Sequence, residues 1–244
     1  MYDFKNRRVL LTGAAGGLGA PLAGMLESAG AQLVALVLEK TDGGIPEAPN
    51  ARILAADLSD TTALEQIVQA EIDANGAIDT VINNAAIYPK SEITQLTPEE
   101  MMEVFQVNVN AACVLTRICA KDMKLNGFGR IINVSSITYD IGFKELTAYV
   151  ASKAALIGVA RTWARELGPS GVTVNAVSPG AFQTDAEKIH PDPEDYNNFV
   201  LEQQALKRRG TPEDFGNVVM FLASEQSGFV TGQNIRVDGG WIMR

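Results

Sequence analysis

Apolar residues in this chain gather in short β-branched or leucine-rich runs, separated by longer stretches with helical spacing. The runs cover 8–11 (RVLL), 32–38 (QLVALVL), 51–54 (ARIL), 80–83 (TVIN), 130–134 (RIINV), 172–177 (VTVNAV) and 234–237 (NIRV). They are nearly continuous rather than alternating, which predicts strands covered on both faces, the parallel-sheet situation. Between them the spacing predicts helices over 18–29, 61–75, 98–126, 148–167 and 212–223. Thr61 and Thr97 stand where caps are wanted, and Pro98 and Pro212 suit a first helical turn. Strand–helix alternation on short links implies an α/β fold: a doubly wound, Rossmann-type parallel sheet of about seven strands with helices on both faces. The one long irregular stretch, 178–198, is rich in Pro, Asp and Asn. Such a segment is expected to be a lid over a site, placed at about residues 183–203. No linker or repeat divides the chain, so 1–244 is expected to form a single domain.

Composition narrows the function classes. Of 244 residues, 46% are hydrophobic and 20% charged, enough for a sizeable core and unlike a disordered chain. A net charge of -9 would repel phosphates, so no nucleic acid is expected as a partner. With two cysteines, Cys113 and Cys119, neither a disulfide framework nor a zinc site is expected, and both read as reduced thiols. A single histidine, His190, argues against metal sites and Ser/His triads. Residues 1–8 carry no apolar run, and no stretch approaches the roughly 20 apolar residues of a spanning helix. A cytoplasmic protein that avoids membranes is the expectation.

Directly after the first predicted strand comes Thr12-Gly13-Ala14-Ala15-Gly16-Gly17-Leu18-Gly19, which opens a helix. Glycines there permit a tight turn and close backbone approach to a pyrophosphate, while the helix N-terminus offers oriented N–H groups. Farther on, Tyr149 and Lys153 are four apart on a predicted helix and share a face. A neighbouring ammonium favours the phenolate, so the tyrosine pKa is expected to fall and suit it to proton transfer.

The spacing T-G-x-x-x-G-x-G resembles the short-chain dehydrogenases/reductases, and the resemblance covers the whole chain. The later motifs follow in that family's order: Asp57-Leu58, Asn83-Asn84-Ala85-Ala86, Asn108, Asn133-Val134-Ser135-Ser136, Tyr149-Val150-Ala151-Ser152-Lys153 and Ser178-Pro179-Gly180. The resemblance implies a catalytic set of Asn108, Ser136, Tyr149 and Lys153. Ser136 would hold the substrate oxygen, with Ser135 expected to point to the other side of the strand end. Asn108 would hold a water beside the lysine, with Asn110 as a nearby decoy.

The same resemblance implies a dinucleotide held by Gly13, Ala15, Gly16, Gly17, Leu18 and Gly19, with Val37 and Leu38 at the usual ribose-reading position. Asp57 and Leu58 would meet the adenine, and Asn84, Ala85 and Ala86 the ribose. Tyr149, Lys153, Pro179, Gly180, Phe182 and Thr184 would lie toward the nicotinamide. Ala86 stands where the family has glycine, and because alanine disfavours positive φ, a small rearrangement is expected there. Neither Val37 nor Leu38 is charged; Glu39 favours NAD by a shift of register, and Lys40 could greet the phosphate of NADP. With no basic residue in the glycine turn, NAD is favoured over NADP.

Tyr88, Ile137, Tyr139 and Phe143, with Ser136 and Tyr149, fall on segments that face substrate in the family. The runs at 86–89 and 129–139 look like those of NAD-dependent phenylethanol dehydrogenases, which implies a bulky or aromatic secondary alcohol and its ketone. An NADP-dependent 3-oxoacyl or sugar/polyol reductase is the alternative enzyme, and a non-catalytic dinucleotide-binding sensor the alternative class. The resemblance also implies a homotetramer. Trp241, near the chain end, is expected to sit against a partner.

Overall fold

The computed structural model describes residues 2–39, 44–184, 187 and 192–243. Seven strands form one parallel sheet: β1 (Arg8–Thr12), β2 (Gln32–Val37), β3 (Arg52–Ala55), β4 (Thr80–Asn83), β5 (Gly129–Val134), β6 (Val172–Pro179) and β7 (Asn234–Val237). Their order across the sheet is β3-β2-β1-β4-β5-β6-β7. This is the doubly wound Rossmann arrangement expected from the runs. Successive side chains alternate between two covered faces, which is why the runs are continuous. Val9 and Leu11 pack with α1 (Gly19–Ser28), whereas Leu10 packs with α2 (Thr61–Asn75).

The remaining helices are α3 (Pro98–Phe105), α4 (Ala111–Asn126), α5 (Thr138–Ile141), α6 (Thr147–Leu167), α7 (Pro193–Gln203) and α8 (Pro212–Ala223). The cluster with Val9 takes Phe215, Val219 and Leu222 from α8; the cluster with Leu10 takes Leu115 and Cys119 from α4 and Ile157 from α6. Switching of the crossovers from one side of β1 to the other leaves a crevice beyond the carboxyl ends of β1 and β4.

Several expectations are corrected. The helix expected over 98–126 is interrupted by a π-helical turn, Gln106–Asn110, whose wider ring closes with Ala111 N–H donating to the Gln106 carbonyl. Asp60, not Thr61, caps α2, accepting from Thr62 N at 3.1 Å and Ala63 N at 2.9 Å. Thr97 does cap α3, in a reciprocal box with Glu100. The stretch expected to be irregular, 178–198, ends in the first turns of α7, started by Asp192 and Pro193. Trp241, expected against a partner, remains partly exposed and also lies edge-on to Phe199 of α7 at 5.6 Å, a contact that does not bear on that expectation. Lys40 and His190 lie outside the described residues.

Candidate active site

The crevice is built chiefly from backbone. Thr12, at the end of β1, accepts hydrogen bonds on Oγ1 from the N–H groups of Asn84 and Ala85, both at 2.9 Å. The Asn84 amide returns the link, donating to the carbonyls of Thr12 at 3.0 Å and Gly13 at 3.3 Å. The two strand tips are thus sewn together. Gly13 takes a φ of +64°, and a Cβ on Gly19 would lie 2.0 Å from the Gly13 carbonyl oxygen, so the turn requires glycine at both places. This cradle leads into α1 and fits a pyrophosphate.

A cleft of about 400 Å³ opens over it. Its lining includes Gly13, Ala15, Gly16, Gly17, Leu18 and Gly19 from the turn and Asn84, Ala85 and Ala86 beyond β4. Tyr149, Lys153, Pro179 and Thr184 close its other side. Ala86 does not need a positive φ, since Asn6 and Glu145 are the described non-glycine residues that have one. Val37, Leu38, Asp57 and Leu58 do not line this cleft. Leu38 stands 68% exposed just past β2. Asp57 is exposed too, and the Ser59 N–H, donating to it at 2.8 Å, holds its carboxyl below the ordinary value.

On the far side of the cleft, β5 delivers two serines with opposite orientations. Ser135 donates from Oγ to the Lys153 carbonyl at 2.7 Å and so ties β5 to α6. Ser136 Oγ accepts from Thr138 N at 3.2 Å and Thr138 Oγ1 at 3.0 Å, which leaves its own proton to donate. Lys153 is 2% exposed, and its Nζ donates to the Val134 carbonyl at 2.7 Å. Burial pulls the lysine down to about 7. The Tyr149 phenol is pushed up to about 12 by burial, against the opposing pull of Ser136. The expected fall of the tyrosine pKa is therefore corrected. Lys153 Nζ lies 5.5 Å from the Tyr149 ring centre, and desolvation, which favours both neutral forms, dominates.

Asn108 sits in the π-helical turn, buried, and every polar atom of its side chain is engaged. Its Oδ1 accepts from Ile87 N at 2.9 Å, and its Nδ2 donates to Ile87 O and to Ser152 Oγ, both at 3.0 Å. Asn110 instead faces outward and donates to Gln106 Oε1 at 2.7 Å.

A second cavity of about 190 Å³ adjoins the cleft. Tyr88, Ser136, Phe143, Tyr149, Gly180 and Phe182 line it, all anticipated near substrate or nicotinamide. Ile137 and Tyr139 do not. Ile137 is buried, and Tyr139 turns away, its hydroxyl accepting from Asn234 Nδ2 at 2.9 Å and an Arg236 Nη at 2.7 Å. Thr138 and Leu146 also line the cavity and were not anticipated from the sequence; Glu187 and Tyr196 line it too, named by no motif but falling in the stretch 183–203 expected over a site. The hydroxyl two positions after Ser136 was the available clue for Thr138. Among the described residues there is no group of His, Cys, Asp or Glu able to hold a metal ion.

A family model described as enoyl-(acyl carrier protein) reductase matches residues 13–242. The chain is 32% identical to a 2-dehydro-3-deoxy-D-gluconate 5-dehydrogenase of Bacillus subtilis (strain 168), over 100% of this chain and 97% of the relative. It is 33% identical to the 3-oxoacyl-[acyl-carrier-protein] reductase FabG of Thermotoga maritima, over 96% of this chain and 97% of the relative. A solved structure of a short chain dehydrogenase/reductase family protein superposes with a TM-score of 0.86 at 31% identity, covering 98% of each chain.

Proposed function

The chain belongs to the short-chain dehydrogenase/reductase family of NAD(P)-dependent oxidoreductases, and from that premise we propose that it interconverts a bulky or aromatic secondary alcohol and its ketone, using NAD. The observation that carries this reading is the meeting of the glycine-floored cleft with an apolar cavity at Tyr149. The cavity presents Tyr88, Phe143, Leu146 and Phe182 to a substrate, beside the hydroxyls of Ser136 and Tyr149. A nicotinamide bound in the cleft supplies or accepts the hydride.

The chain's own residues handle the proton. In ketone reduction, Ser136 donates a hydrogen bond to the carbonyl oxygen, and the neutral phenol of Tyr149 gives that oxygen its proton. A phenol raised to about 12 holds its proton until the developing alkoxide takes it. Lys153, poised near 7, can return a proton in reduction or take one up in oxidation. Asn108 is a positioning residue that clamps Ile87, the neighbour of Tyr88, to Ser152, the neighbour of Lys153. NAD is favoured because the described turn and the end of β2 offer no cation for a 2′-phosphate. A homotetramer in the cytoplasm completes the proposal.

The test is to mix the purified protein with NAD⁺ or NADP⁺ and secondary alcohols of aromatic, cyclic, polyol and 3-hydroxyacyl types, following reduced-nicotinamide absorbance. Fast turnover of an aromatic alcohol with NAD⁺ is expected. Preference for the polyol or 3-hydroxyacyl compounds with NADP⁺ would instead support a sugar or 3-oxoacyl reductase, the second reading, which the names of the two relatives favour. Nucleotide binding without turnover of any compound in either direction would favour a sensor.

A further inference from the structure

Among the described residues that line the substrate cavity, one is charged, and the reaction does not use it. Glu187 lines it together with Tyr196 of α7, whereas Arg209 does not reach its lining. The Glu187 carboxylate is hydrogen-bonded and ion-paired to the Arg209 guanidinium, in a pair with side chains 21% and 10% exposed. Arg209 is itself fixed from behind, donating to Asn197 Oδ1 at 3.3 Å and lying 5.9 Å from the Tyr196 ring centre. The Glu187 N–H donates to the Thr184 carbonyl at 3.0 Å, which ties the acidic residue to the segment that also lines the nucleotide cleft. A substrate entering beside Ser136 and Tyr149 therefore meets the carboxylate of the pair, and the guanidinium sits behind it.

We propose that Glu187, backed by Arg209, is a specificity-determining residue: it selects substrates whose end remote from the reacting carbon carries a hydrogen-bond donor or a cation, and it rejects anionic ends. This rests on the oxidoreductase reading of the same cavity. A carboxylate can accept hydrogen bonds but donate none, so a hydroxyl or ammonium is satisfied against it. A carboxylate or phosphate on the substrate would be desolvated beside a like charge, the repulsive element on which discrimination depends. Burial pushes the Glu187 carboxyl up, and the Arg209 guanidinium beside it opposes that shift. Removing the acid while leaving Arg209 would expose an unpaired cation and invert the preference.

The test uses four 1-phenylethanols that differ in the para group: methyl, hydroxymethyl, aminomethyl and carboxylate. Their kcat/KM values with NAD⁺ are compared between the natural protein, Glu187→Gln and Glu187→Ala. The corresponding ketones are titrated by calorimetry into the protein holding NADH. In the natural protein the aminomethyl and hydroxymethyl compounds are expected to exceed the carboxylate by at least ~10-fold. In Glu187→Gln the ratio of kcat/KM for the carboxylate compound to that for the methyl compound should rise ~10-fold. Arg209→Met, if it folds, should weaken the donor preference without favouring the anion. Equal ratios among the four groups in the natural protein and both Glu187 variants would overturn the proposal. If none is oxidised yet the ketone affinities keep the predicted order, the hydride-transfer reading fails and the role of Glu187 stands. If none is either oxidised or bound, both fall.

Discussion

The nucleotide cleft and the substrate cavity share Leu18, Tyr88, Tyr149, Pro179 and Thr184, yet they are made by opposite means. The cleft is a product of backbone: strand tips locked by Thr12 and Asn84, a glycine at positive φ, and the start of a helix. Its shape follows from the topology of the sheet and tolerates little change. The cavity is a product of side chains from α5, α6, α7 and the segments after β4, β5 and β6, elements far apart in the chain. One region therefore fixes which cofactor class binds, while the other is free to vary which substrate does.

The largest effect should come where the two meet. Tyr149→Phe removes the proposed proton donor and leaves the ring, so turnover is expected to fall by ~10²–10⁴-fold with nucleotide affinity unchanged. Steady-state kinetics beside nucleotide titration reads both quantities. Full turnover would mean that the proton comes from elsewhere and that the shared residue is mere packing.

Next in size is a change confined to the cleft. Gly19→Ala places a methyl 2.0 Å from the Gly13 carbonyl oxygen, so the turn must open. Nucleotide affinity should drop by ~10-fold or more, about 1.4 kcal/mol, measured by calorimetry. Unchanged affinity would show that the cradle is not the phosphate site.

A pH profile separates the proton path from the binding surfaces. Lys153, lowered to about 7, is charged below that pH and neutral above it. Neutral lysine can accept the proton that alcohol oxidation releases through Tyr149. Oxidation should therefore rise about tenfold per pH unit below about 7 and level off above it. Reduction, which needs the proton returned, should level off below about 7 and fall above it. Single-turnover rates in both directions check the sign, and a flat oxidation profile would mean that the proton bypasses Lys153.

Much of this was legible in the sequence, and the gaps have physical causes. A strand buried on both faces, Thr80–Asn83, was found to the residue, and so was the half-buried edge strand Asn234–Val237, whose apolar positions alternate with polar ones. The π-helical turn at Gln106–Asn110 was hidden because one wider ring barely disturbs a helical hydrophobic pattern. Helix α7 was masked by its polar composition, although Asp192 before Pro193 is a start signal. Burial decided the protonation of Tyr149 and Lys153, and spacing alone shows that two groups are close but not how dry they are. The Glu187–Arg209 pair spans 22 positions with no local pattern to join them.

The smallest effect should fall on the cavity alone. Phe143 lines the substrate side but not the cleft, so Phe143→Ala removes apolar wall without touching the cradle or the proton donor. A ring partly withdrawn from contact with substrate is worth ~1–2 kcal/mol of apolar burial. KM for an aromatic alcohol should thus rise several-fold, by roughly the ~5–30-fold that this energy allows, with kcat nearly constant. A small aliphatic alcohol that never reaches the ring should show no change. If kcat fell as much for the aliphatic compound, Phe143 would be supporting the loop that carries Ser136 and Thr138. The division between a fixed cleft and a variable cavity would then have to be redrawn around that loop.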